Sequence, residues 1–275
     1  MSALAHESAS ASVGSLLRTW RNKRRLSQLD LALDAEVSAR HLSFVENGRS
    51  RPSAELVLSL AEHLDLPLRE RNHLLLAAGY APRFRETPID SPDLNDVKTS
   101  LVRLLDAHDP YPGVALDRYW NVVFANAAAR RMLAALPPEL SQPTLNLFRA
   151  GLHPQGFAAI TENFAEWGSA LLAGIERIAA NTMDPQAQAL LEEVRTYPGV
   201  RRLQRATTAP SNAANGILVP CILNLPQGRL SLFTALATLG SPLDVTLAEL
   251  TFELYYPSDE ASAELMRGWA DSEAG

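Results

Sequence analysis

The sequence predicts an all-α N-terminal domain of five helices followed by an α+β domain with a five-stranded antiparallel sheet. Three observations carry that expectation. Apolar residues recur at helical spacing up to residue 80. The stretch YAPRFRETPIDSPDLND, residues 80–96, then holds three prolines and no helical period. Finally, β-rich apolar runs broken by Pro and Gly dominate the last third. A length of 275 residues suits two domains. The expected boundaries are a disordered tail at 1–11, a first domain at 12–80, a linker at 81–96 and a second domain at 97–275.

In the first domain, Val13, Leu16, Leu17 and Trp20 form the buried stripe of a first helix. Ser27 with Asp30 three residues on is a capping-box pattern that opens a second, with Leu31 and Ala32 facing inward. Ala32 is small enough to let another helix cross closely. Ser38 caps a third helix, Ala39–Asn47, with Leu42 and Val45 inward, and Asn47-Gly48 stops it where positive φ costs little. Ser53-Ala54-Glu55 begins a fourth that buries Leu56, Leu60 and Leu64. Pro67-Leu68-Arg69 opens a fifth, Glu70–Ala78, ended by Gly79.

In the second domain, Val97–His108 reads as a helix burying Val97, Leu101, Leu104 and Leu105. Tyr111–Leu116 and Trp120–Ala125 are short apolar strands around Asp117-Arg118, and Asn126 caps a helix through Leu133. Residues 145–193 read as helical, with a stripe of Phe157, Ile160, Phe164, Trp167 and Leu171. Gly216–Leu225, Arg229–Leu239 and Thr246–Tyr256 complete the sheet, and Ser258–Trp269 closes the chain as a helix.

Two short helices around the tight turn at residues 35–38 form a helix-turn-helix, so double-stranded DNA is the expected partner. The N-terminal half of the second of these helices reaches base edges, while its neighbours meet phosphate. That places Ser38, Ala39, Arg40, Ser43 and Phe44 on the base-facing side. Arg40 suits a bidentate contact to guanine, and Phe44 or Ala39 suits a thymine methyl. His41 lies beside this face. Gln28 is placed to bond a phosphate at the first helix's N-terminus, and Asn47, Arg49 and Arg51 read as backbone clamps. Charge agrees with this division: residues 1–85 hold 12 Lys and Arg against 9 Asp and Glu, whereas residues 86–275 hold 13 against 22. The basic excess sits where phosphates must be neutralised. The run Arg21-Asn22-Lys23-Arg24-Arg25 contributes most of it.

The segments SQLDLA, VSARHLSFVENGRSRPS and ELVLSLAEHLDL resemble the lambdoid-repressor, or XRE (Cro/C1), type of helix-turn-helix. The family usually has Gly where this chain has Glu36, a position that tends to take positive φ. The resemblance also implies an internal ion pair between Arg21 and Glu46; read from the residues alone, they are equally two solvated charges. The blocks RHLSFVENGRSRPS, PLRERNHLLLAAGYAP, DRYWNVVFAN and LAELTFELYYPSDEAS, in that order, resemble the MmyB-like transcription regulators. That resemblance implies a bacterial or archaeal regulator whose second domain is PAS-like and holds a small apolar, fatty-acid-like effector. A homodimer on a pseudo-palindromic operator is expected, with the dimer contact in residues 97–275.

Within the second domain, Phe124, Phe148, Phe157, Phe164 and Trp167 are candidates to line an apolar ligand site, with His153 or Asn163 as polar anchors. Their plain alternative is the core of a sheet-and-helix layer. Histidines 6, 41, 63, 73, 108 and 153 never pair at metal-ligand spacing, and no GxSxG, HExxH or phosphate-binding glycine loop is present. No cofactor and no enzymatic activity are expected; the alternative is a haem- or flavin-bearing PAS sensor or enzyme tethered to DNA. Cys221, the one cysteine, reads as a buried strand thiol and fits a reducing cytoplasm. No stretch approaches a membrane span, and the N-terminal residues lack the features of a secretory signal.

Overall fold

The first helices form where caps and stripes place them: α1 (Val13–Lys23), α2 (Gln28–Asp34), α3 (Ala39–Glu46), α4 (Ala54–His63) and α5 (Leu68–Ala77). The computed structural model describes residues 12–182, 184–206 and 218–271. The expected tail at 1–11 and the first two residues of the strand expected from Gly216 lie outside the described residues. Ser12, Ser27, Ser38 and Ser53 cap α1 to α4, each hydroxyl accepting the N–H three residues on. The Ser27–Asp30 capping box is complete, since Asp30 Oδ2 also accepts from the Ser27 N–H at 2.9 Å. Leu17, Leu31, Leu42, Val45, Leu60 and Leu75 fill one core. Gly14 lets α1 press on α3: a Cβ there would lie 2.3 Å from the Val45 carbonyl oxygen.

The first unit does not end at residue 80. Asn72 Oδ1 accepts from the N–H groups of Arg83 and Phe84 at 3.0 and 3.1 Å, and its Nδ2 donates to Phe84 O at 2.8 Å. The stretch expected as a free linker is therefore docked in its first half, and the unit runs on to Ile89. Residues Gly240–Ala248 belong to this unit as well. Asp244 Oδ2 accepts from the N–H and hydroxyl of Thr87 at 3.1 and 2.6 Å, and Val245 N donates to Arg85 O at 2.8 Å. The Asp244 Oδ1 atom also caps the short helical turn Val245–Ala248, which displaces the start of the strand expected from Thr246.

The second unit opens with α6 (Asn95–Asp106), followed by β1 (Gly113–Leu116), β2 (Val122–Ala125) and α7 (Ala127–Ala134). Leu101 and Leu105 of α6 are buried as expected, but Leu104 is 46% exposed. Next come α8 (Pro138–Ser141), α9 (Leu147–Leu152), α10 (Phe164–Thr182), α11 (Pro185–Arg195) and α12 (Pro198–Ala206). The strands β3 (Cys221–Leu225), β4 (Gly228–Thr238) and β5 (Thr251–Pro257), with a closing helix α13 (Glu260–Asp271), finish the fold. The sheet runs β2-β1-β5-β4-β3 with every neighbour antiparallel, the five-stranded PAS-like order. The aromatic stripe at 157–171 is not one helix. Phe157–Ala159 is a single 3₁₀ turn, and Thr161 then makes an isolated antiparallel bridge to Leu223 of β3, with Glu162 N donating to Ile222 O and Asn224 N to Ile160 O. Only at Phe164 does α10 begin. A second core, Phe148, Leu152, Ile175, Leu191 and Val194, ties α9, α10 and α11 together.

Glu36 takes φ 55°, so the turn before α3 keeps the left-handed geometry that glycine adopts freely. A side chain there costs on the order of 1 kcal/mol, partly offset by glycine's larger unfolded entropy. Glu36→Gly should therefore stabilise the first unit by about 0.5 kcal/mol, seen as slower amide exchange in α2 and α3. Faster exchange would show that the Glu36 side chain contributes more than its strain costs.

Candidate functional site

Helix α3, the second helix of the expected helix-turn-helix, is held from behind by one carboxylate. Glu46, with no exposed side-chain area, accepts from Arg21 Nε at 2.7 Å and Arg21 Nη2 at 2.9 Å, a bidentate pair. Gln28 Nε2 at 2.8 Å and Arg18 Nε at 3.4 Å complete the set, and Arg21 Nη1 closes on Leu26 O at 2.8 Å. Burial opposes ionisation of Glu46, but the hydrogen bonds from Arg21, Gln28 and Arg18 prevail and hold its carboxyl below the usual range. The ion pair implied by resemblance is present, and it joins α1, α2 and α3.

In front, Arg40 is exposed and its guanidinium lies 5.3 Å over the Phe44 ring. Ala39, His41, Ser43 and Phe44 are half-buried on this helix, and Ser38 spends its hydroxyl on the His41 N–H. The flanking residues divide differently from expectation. Gln28 is not a free amide, because one N–H is fixed on Glu46; only the other hydrogen is left for a phosphate. Asn47, expected as a clamp, accepts from Arg18 Nη2 at 2.6 Å and donates to Ser43 O at 2.8 Å, so both ends of its amide serve the end of α3. Arg51 donates to Ala78 O at 3.1 Å and stacks on Tyr80 at 5.2 Å, which ties the loop to the end of α5. The Arg49 guanidinium is exposed, with no hydrogen bond or ion pair among the described residues. Of the basic run, Arg21 is neutralised by Glu46, and Arg24 donates to Leu64 O and Asp65 O at the end of α4.

The second unit holds an apolar cavity between the sheet and the helices that follow β2. Its walls are Pro112, Val114, Ala129, Met132, Leu133, Leu147, Phe157, Trp167, Cys221, Leu223, Leu232 and Tyr255. The free space is about 40 Å³, room for a water or two rather than for a hydrocarbon chain. Phe157 and Trp167 are the two residues expected at a ligand site that line it. Phe148 is buried against Trp120 at 4.7 Å in the α9–α11 core, and Phe164 packs over Gly168 and Gly199. Phe124 on β2 is half-buried away from the cavity walls. His153 meets the Tyr197 ring edge-on at 4.9 Å and accepts from Gln155 N through Nδ1, so it anchors nothing in the cavity. Asn163 bridges Pro220 O and Ile222 N, a structural latch for β3. Sequence reasoning missed the strand-borne walls. Their signal was the period-two alternation of Cys221 and Leu223, and of Leu230 and Leu232, within strands already expected.

Beside this cavity lies a carboxyl group. Glu253 is in register with Val114 of β1 and two residues from Tyr255, so it shares their face of the sheet. It is 7% exposed, with no ion pair among the described residues; the Tyr255 and Thr234 hydroxyls are its partners. Burial outweighs those hydrogen bonds and pushes its pKa up to about 7. Burial likewise raises the Cys221 thiol to about 12, so this expected buried strand thiol is chemically quiet. Among the described residues, no group of His, Cys, Asp and Glu is arranged to hold a metal, and no helix is long and apolar enough to cross a membrane.

Residues 97–267 match the family described as the MmyB-like transcription regulator ligand binding domain, and residues 17–71 match the helix-turn-helix family. The chain belongs to the MmyB-like transcription regulators. No curated protein matches it. Among solved structures, the restriction-modification controller protein of Aeromonas hydrophila is 34% identical, over 22% of this chain and 89% of its own, with TM-score 0.21. The clp gene regulator of C. glutamicum is 33% identical, over 24% of this chain and 83% of its own, with TM-score 0.22. The PAS domain of Bordetella pertussis BvgS covers 66% of this chain and 98% of its own at 14% identity and TM-score 0.28. In this MmyB-like regulator the DNA-binding and ligand-binding parts are thus separate units of the chain, each with its own core.

The pH dependence of the ligand-binding unit follows from Glu253. Its folded pKa of about 7 lies above the ordinary 4.5, so the native state holds a proton that the unfolded chain gives up. Stability should fall as pH rises from about 4.5 to about 7, by on the order of 2–3 kcal/mol. Glu253→Gln removes that loss. Melting curves from pH 5 to 8 should decline for the wild type and stay nearly flat for the variant, and parallel curves would contradict the assignment.

Proposed function

We propose that this DNA-binding transcription regulator binds a pseudo-palindromic operator as a homodimer and that a small apolar, fatty-acid-like effector controls it from the cavity of the second unit. We further infer that it acts by binding rather than by catalysis, in the cytoplasm. The observation that carries the DNA-binding half is α3 itself: Arg40 stands exposed over Phe44 on a helix whose rear is pinned by the buried Glu46. Effector control draws on the apolar walls around Met132, Trp167 and Phe157. The cavity, with about 40 Å³ of free space, must widen to admit a chain, and Met132, unbranched and adaptable, is suited to move first. A ligand that needs the wider cavity favours one conformation of the unit over another, which is the requirement for regulation. The chain between β4 and β5, residues Gly240–Ala248, is part of the DNA-binding unit, so two sheet strands lead directly into it.

The test is DNA titration at several salt concentrations. Arg40→Ala should relax preference at one symmetric base pair per half-site, at a cost of about 1–3 kcal/mol. Arg49→Ala should weaken binding to every sequence and lower the salt slope by roughly 0.9 for each phosphate left without its cation. Arg51→Ala, whose guanidinium is occupied at the end of α5, should lower thermal stability and leave the slope unchanged. An unchanged preference with Arg40→Ala would remove it from the reading face.

A further inference from the structure

Among the described residues, one stretch of the sheet is paired on one side only. β3 pairs with β4 from Leu225↔Gly228 to Cys221↔Leu232 and no further, because the chain turns away at Pro220, whose carbonyl accepts from Asn163 Nδ2. β5 continues alongside β4 to Thr238. Among the described residues, Thr234, Ala235, Leu236, Ala237 and Thr238 therefore have a strand neighbour on one edge only, and all are exposed. Leu236 is 56% exposed, and Leu218 and Val219, just before β3, are 60% and 47% exposed.

The direction of the unpaired groups follows from the hairpin. Pro226-Gln227 is a two-residue turn, so Leu225 and Gly228 form its hydrogen-bonded closing pair. Antiparallel alternation then aims the N–H and C=O of Gly228, Leu230 and Leu232 at β3, and those of Thr234, Leu236 and Thr238 past its end into the open. Two bonds agree with this phase. Ser231 O, on the opposite edge, accepts from Ser258 N, and Tyr255 N of β5 turns to Pro112 O.

The open segment reads Thr-Ala-Leu-Ala-Thr, the same in both directions about Leu236. It carries no charge, proline or bulge, the devices that normally keep an exposed strand edge from pairing. We propose that the occupant of this edge is a second copy of the same strand, paired antiparallel about a two-fold axis through Leu236, which makes β4 the homodimer interface. In that register Leu236 exchanges N–H and C=O with Leu236 of the second copy. Thr234 and Thr238 exchange theirs with Thr238 and Thr234, so every outward backbone group of the segment is matched. An isologous contact of this kind has the symmetry a pseudo-palindromic operator requires. Leu236 is also the register partner of Glu253, which sets the interface one strand from the buried carboxyl beside the cavity.

Cross-linking of the full chain tests the register. A hydrogen-bonded antiparallel pair holds its Cα atoms about 5.5 Å apart, within disulfide reach. Leu236→Cys should give a covalent dimer on mild oxidation, with the native Cys221 buried and silent. Thr234→Cys alone should not cross-link, and Thr234→Cys combined with Thr238→Cys should. Leu236→Lys sets like charges opposite each other and should give a monomer by sedimentation at concentrations where the wild type is dimeric. A wild-type chain that is monomeric at every concentration overturns the proposal. So does a dimer that survives Leu236→Lys while Leu236→Cys fails to cross-link. Either result leaves the DNA-binding reading standing or falling on Arg40 and Arg49, which are read in separate titrations.

Discussion

Glu46 is the constraint on which the DNA-binding unit depends. It is the last residue of α3, it is buried, and it gathers Arg21 and Arg18 from α1 and Gln28 from α2. A carboxylate out of water is expensive unless it is paired and its lone pairs are filled. Here the bidentate Arg21 and the Gln28 amide meet that requirement, and in doing so they fix the angle at which α3 presents Arg40 and Phe44. The apolar core packs the same helices, but hydrophobic contact is non-directional; the Glu46 cluster supplies the orientation. Arg18, Gln28 and Asn47 thus belong to a supporting layer behind the proposed reading face, beside which Arg49 stands exposed.

The second unit uses neutral polar side chains for the same purpose. Asn126 is fully buried; its Oδ1 accepts from Gly113 N and Ala129 N, and its Nδ2 donates to Leu105 O and Tyr111 O. One amide therefore sets α6, β1 and α7 around the mouth of the sheet. Asn146 does likewise between β2 and α9, donating to Tyr119 O and Asn121 Oδ1 while accepting from Phe148 N and Arg149 N. With its polar groups satisfied at these joints, the space between sheet and helices is lined almost wholly by carbon. Glu253 is the exception, a carboxyl beside an apolar cavity whose pKa burial pushes up to about 7.

The fold was legible in the sequence where local chemistry decides it. Serine signals located α2, α3 and α4, and Asn126 located α7, because a cap depends on residues within one turn. Glu36 was legible as an oddity and keeps the left-handed turn at φ 55°. Long-range geometry was less visible. Phe157 to Leu171 has helical spacing, yet Thr161 forms an isolated bridge to Leu223 of β3 and interrupts the helix, while Phe148 and Phe164 pack in a helical core and His153 lies against Tyr197. Asn47 and Arg51 look like phosphate contacts by type and position. Their partners, Arg18 and Ala78 O, are 29 and 27 residues away in the chain, beyond what a local motif can show. The docking of Gly240–Ala248 against residues 85 and 87 had no local signal at all.

Native-state hydrogen exchange of Glu46→Gln in the full chain addresses the Glu46 cluster most directly. Removing the charge leaves Arg21 buried without its counter-ion, a loss of about 3–5 kcal/mol for a broken buried pair. Amides of α1, α2 and α3 should exchange on the order of a hundredfold faster or more, while those of the second unit's sheet stay protected. Because the Glu46 pKa is lowered in the folded state, the same acceleration should appear in the wild type as pH falls below the ordinary carboxylate value of 4.5 and through the lowered one. Unchanged protection of α1 to α3 in Glu46→Gln would contradict the account, because the recognition helix would then be held by hydrophobic packing alone.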